Sequence, residues 1–128
     1  LRTGQLKKSD AAFQPGERVL YAAPNPAEPF GATVKKAAMV TGMRFDNTNA
    51  SGVPAVTINL YFARYDSSKL IAQRPPRRIL PVNVTLASGQ SMMENIPLML
   101  EEGDAILGDA SQTNAIDYII SGVEREMV

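Results

Sequence analysis

Acidic side chains offer the most obvious chemistry: Glu101, Glu102, Asp104 and Asp109 crowd one short span of the chain. Such an oxygen-rich set could hold Ca²⁺, which takes about six to eight oxygen ligands converging from a rigid loop. The spacing matches no EF-hand. Paired carboxylates could also cleave a glycosidic bond, but these sit among turn residues, and a chain with four Phe, four Tyr and no Trp has few rings on which to stack a sugar. The simpler reading is solvated turn residues. Ser9, Ser67, Ser88, Ser91 and Ser121 lie in no G-x-S-x-G elbow, and without His no serine triad can form. The absence of Cys removes thiol nucleophiles, disulfides and zinc–thiolate sites together. These residue types point away from an enzyme, and no cofactor or metal is expected.

The remaining candidates are contacts rather than catalysts. Arg74-Pro75-Pro76-Arg77-Arg78 places three guanidiniums around a Pro-Pro step that favours extended backbone, a tip suited to phosphate, anionic glycans or a partner's carboxylates. Adjacent residues of a strand face opposite ways, so Met92 and Met93 cannot both enter one core, and one becomes a candidate subunit contact. Residues 1–14 carry Arg2, Lys7 and Lys8 with isolated Leu6 and Phe13, and show no period-2 pattern beyond at most a helical turn at 10–13. They read as an N-terminal arm, able to anchor on a neighbour and dispensable for folding. Lys plus Arg balances Asp plus Glu, 13 against 13, so no overall field draws the chain to nucleic acid or a membrane surface. No apolar run approaches the length of a spanning helix, and the opening residues lack the apolar core of a signal peptide.

Short apolar runs punctuated by turn residues supply the frame. A single domain over 15–128 is expected, all-β, an antiparallel β-sandwich of jelly-roll type. Residues 18–23 form its first strand, with Val19, Tyr21 and Ala23 on one face, and a proline-rich loop follows. In 33–45 the apolar phase changes from Val34, Ala38 and Val40 to Met43 and Phe45, which predicts a bulge near Gly42. Val56, Ile58, Leu60 and Phe62 alternate with polar neighbours in the clearest strand. Residues 65–78 form a polar excursion. Leu80, Val82 and Val84 are expected inside, as are Ile116, Tyr118 and Ile120 of the last strand, and Met-rich 91–96 and 105–110 are the others. A helix over 94–102, begun near Pro97, is the alternative to extended chain there.

The order of Val19-Leu20-Tyr21-Ala22-Ala23-Pro24, Phe45-Asp46-Asn47-Thr48, Thr57-Ile58-Asn59-Leu60-Tyr61, Leu86-Ala87-Ser88-Gly89-Gln90-Ser91, Leu100-Glu101-Glu102-Gly103-Asp104-Ala105-Ile106 and Ile120-Ser121-Gly122-Val123-Glu124 resembles small β-sandwich structural proteins of tailed bacteriophages. The resemblance covers residues 17–124 and rests on turns and strands, with the excursion at 65–78 as a departure. It implies a virion protein without catalytic residues, acting in head decoration, a neck or collar, or a tail appendage. The expected partners are further copies of the chain in a symmetric homo-oligomer, and capsid or connector subunits met through the arm and loops. A host-glycan-binding module of a tail fibre or spike is the alternative.

Overall fold

The computed structural model describes residues 2–8, 18–27, 32–95 and 97–126. Among them ten strands form two antiparallel five-stranded sheets packed face to face. One sheet takes β1 (Arg2–Gln5), β10 (Ile116–Glu126) and β3 (Lys36–Asn47), with β7 (Ser91–Glu94) and β8 (Leu98–Leu100) both pairing with β3. The other takes β2 (Val19–Ala22), β9 (Ala105–Ala110) and β4 (Val56–Ala63), with β5 (Pro76–Arg78) and β6 (Val84–Leu86) both pairing with β4. We call these the β3 sheet and the β4 sheet. With β5/β6 and β7/β8 each counted as one interrupted strand, the pairing 1-10-3-7 against 2-9-4-5 is the eight-stranded jelly roll of two Greek keys.

The period-2 pattern explains the core. Val56, Ile58 and Leu60 turn inward from β4 to meet Val40, Phe45, Ile116 and Ile120 from the facing sheet, all at most 1% exposed. The bulge lies where the phase change puts it. Pairing between β10 and β3 steps from Ser121↔Gly42 to Gly122↔Val40, so Thr41 is an extra residue, and Ala38 and Val40 face inward on one side of it, Met43 and Phe45 on the other. Gly122 fits this junction because a Cβ there would stand 2.1 Å from the Met39 carbonyl oxygen, a backbone atom with no room to yield.

The N-terminal arm is corrected. Arg2–Gln5 is the first strand of the jelly roll, paired with Asp117–Ile120. Its Gly4 lies under the Tyr118 ring, where a Cβ would clash at 2.8 Å with the phenol oxygen. Leu6 is fully buried, its backbone bonded to Ile116 and Asn114. Lys7 and Lys8 then cross to the other sheet: Lys8 bridges Ala110, and Lys7 Nζ donates to Asn114 Oδ1 at 2.6 Å. Backbone pairing, invisible in an apolar pattern, holds the segment. Phe13 and the suggested helical turn at 10–13 lie outside the described residues.

Two smaller expectations change as well. Val19 and Tyr21 do not share a face, because the β2–β9 register shifts between them; Val19 packs outside the β4 sheet and Tyr21 in the main core. Val82 is 62% exposed in a turn where Asn83 adopts φ 52°, so the inward alternation resumes only at β6. The extended reading over 94–102 holds at residues 98–100, a strand paired with Ala38–Val40 where the alternative was a helix.

Candidate functional site

The two sheets carry different outer faces. On the β4 sheet, the alternate residues Val19, Ala63, Ala105 and Leu107 point away from the main core, yet each is at most 6% exposed. Ile71, from a single 3-10 turn at Ile71–Gln73 within the excursion, closes over them. This is why every residue of β9 is buried. The excursion is a lid built by the chain itself rather than a projecting loop.

Arg74 belongs to that lid, and its assignment to an exposed tip is corrected. It is 4% exposed, its guanidinium stands 4.9 Å from the Tyr65 ring centroid, and it donates to the Lys69 carbonyl at 3.2 Å. Arg78 is exposed but engaged: it lies 5.0 Å from the Tyr61 ring centroid and donates to Asn59 Oδ1 at 2.9 Å. Asn59 in turn donates to Asn83 Oδ1 at 2.9 Å and to Asp109 Oδ1 at 3.4 Å, and Arg18 pairs with Asp109 Oδ2 at 3.1 Å. Arg77 is the member of the cluster left facing solvent.

Two of the four carboxylates, Asp104 and Asp109, are structural, and for them the reading of solvated turn residues fails. Asp104 is 1% exposed and accepts from the backbone N–H of Tyr65 at 2.8 Å and of Glu101 at 3.0 Å, pinning the lid's first residue to the turn at Gly103. Asp109 is 5% exposed within the Arg18–Asn59 network. Among the described residues no cluster of His, Cys, Asp or Glu could hold a metal ion. Burial pushes the Tyr21 phenol well above its ordinary range, and the adjacent Glu124 carboxylate, which accepts a hydrogen bond from it at 2.7 Å, adds to the effect. Tyr21 is therefore a fixed donor rather than a base.

Among the described residues, nothing covers the outer face of the β3 sheet in this way. Cross-strand pairing places Met99, Met39 and Val123 in one row, 63%, 40% and 62% exposed. The row floors a concavity of about 420 Å³ completed by Ala37 and Ala38, with Arg125 and Glu126 also in its lining. A second row runs Met93, Arg44, Ile119 and Thr3. Met93 is exposed while Met92 packs on the core, as adjacent strand residues must. Beyond it the face turns polar, with Arg44 and Ser91 hydrogen-bonded to Asp46, and Gln5 to Asp117. The Ser91 hydroxyl first, and then Arg44, hold the Asp46 carboxyl below the usual carboxylate range.

Sequence reasoning found Met93 but missed its neighbours Met39, Ile119 and Val123. Their signal was available: once the bulge is placed, odd residues before it on β3 and odd residues of β10 share the outward face. Against protein-family models, curated proteins and solved structures alike, the chain finds no match.

Proposed function

We propose that the chain is a non-enzymatic structural protein of a bacteriophage virion, which forms a symmetric homo-oligomer and attaches to the capsid or to the head-to-tail region. The observation carrying this reading is the open Met39–Met99–Val123 row on a jelly roll whose opposite outer face is closed by its own chain. A connected apolar patch on a soluble surface marks an interaction site, and Met suits an adaptable one. The occupant we assign is a second copy. Arg125 and Glu126 bring one cation and one anion to the same concavity, a rim that complements itself across a two-fold axis. Jelly rolls also recur in viral capsid and lectin domains, which is an argument by analogy only.

The glycan-binding alternative ranks second because its aromatic platforms are taken. Among the described rings, Tyr61 lies beside Arg78, Phe62 beside Arg64 and Tyr65 beside Arg74, while Tyr21, Phe45 and Tyr118 are buried.

Because the chain has no Cys, a single introduced thiol reports contacts cleanly. Met99→Cys should cross-link into dimers under mild oxidation, whereas Leu70→Cys, 73% exposed beside the lid, should not. In a lysate containing assembled particles, the chain should sediment with the particles. Equal cross-linking at both positions, or a chain that never leaves the free-protein fraction, contradicts the proposal.

A further inference from the structure

We infer that the chain carries a site for a small oxyanion, a carboxylate or phosphate group, between Arg64 and Arg77 on the β4-sheet side. Arg64 and Arg77 line one concavity of about 340 Å³ with Phe62 and Pro75, and among the described residues no acidic one lines it. Strand pairing builds it: Arg77 of β5 stands directly opposite Phe62 of β4, and Arg64 follows two residues on, its guanidinium 5.8 Å from the Phe62 ring centroid. Both cations thus project from the same side of the sheet.

The neighbouring arginines show why this pair is different. Arg74 and Arg78 are each occupied by a ring and an oxygen acceptor of the chain itself. Arg77 is exposed and neither donates to an acceptor nor pairs with a carboxylate among the described residues. Arg64 meets only Glu101, at 3.7 Å, with both side chains more than two-thirds exposed, a contact that solvent screening leaves weak. Two like charges in one recess repel unless an anion lies between them, and low-dielectric walls such as Phe62 and Pro75 strengthen the field at that point. Guanidiniums also match the planar, two-oxygen edge of a carboxylate or phosphate. The site therefore takes the anionic group at its centre and packs the body of the ligand against Pro75. It is independent of the assembly reading, since none of its residues lies on the β3 sheet.

The test is a titration of the full chain at low salt, following backbone and arginine Nε–H signals by NMR, with inorganic phosphate, glucuronate and neutral glucose as probes. Phosphate or glucuronate should shift Phe62, Arg64 and Arg77 saturably, and glucose should not. Tighter binding of one anion identifies the preferred group. Arg77→Gln and Arg64→Gln, both at exposed positions, should each weaken binding about tenfold, the scale of one charge-assisted hydrogen bond, while Arg44→Gln at the polar end of the other sheet should leave it unchanged. The inference is overturned if neither anion produces a saturable shift at these residues, if glucose binds equally, or if Arg77→Gln binds as the parent does.

Discussion

The two outer faces of this jelly roll meet the same physical problem and resolve it differently. Outside the β4 sheet, apolar residues are roofed by Ile71 and its segment, and polar ones are joined through Asp109 and Asn59. Outside the β3 sheet, Met39, Met99 and Val123 stay open although they too stand in a row on paired strands. Segments of similar polarity need not be similarly free, and the face that the described residues leave uncovered is the one we propose a second copy occupies.

The contrast concerns faces, not edges, and the largest expected effect tests that distinction. Deleting residues 1–8 removes β1 and the fully buried Leu6, so the truncated chain should lose its cooperative thermal transition or melt many degrees lower. An unchanged melt would return these residues to the status of a dispensable arm. Next in size, Ile71→Ala should destabilise the β4-sheet lid by about 2–4 kcal/mol in denaturant titration, because a buried side chain leaves a cavity. Asp109→Ala, which removes a buried acceptor shared by Arg18 and Asn59, should cost about 1–3 kcal/mol.

How much of this was legible follows from what a sequence pattern records. Alternation reports burial, so β4 and β10 could be read directly, and the phase change from Val40 to Met43 located the bulge. Arg2-Thr3-Gly4-Gln5 has no alternation to report, since the segment is held by pairing with β10 and by the Tyr118 ring over Gly4. The burial of Arg74 was equally hidden: it depends on Tyr65 and the Lys69 carbonyl lying where only the folded lid puts them. Asp104 and Asp109 look like ordinary turn residues until the N–H groups and the guanidinium they serve are in place. The open Met row lay between these cases, readable once the bulge fixed which residues share a face.

The smallest effects belong to the β3 sheet. Met39→Ala should change monomer stability by no more than about 0.5 kcal/mol, against the much larger loss at Ile71, because an exposed side chain leaves no cavity. At the polar end of the same face, the lowered Asp46 carboxyl stabilises the fold above its ordinary value, at about pH 4, and the contribution disappears as pH falls through the lowered value. Solvent screening keeps this to a few tenths of a kcal/mol. Comparing Asp46→Asn with the parent in acid titrations should show the difference above that pH and none well below it.

The most direct test of the account is native mass by light scattering on the full chain and on Met39→Glu, at equal concentration and with thermal melts alongside. A charge in the centre of the open row should abolish association without disturbing the core, so the account predicts an oligomer for the parent and a monomer with an unchanged melt for the variant. A parent that is monomeric across the micromolar range, or a variant that assembles as the parent does, would contradict it.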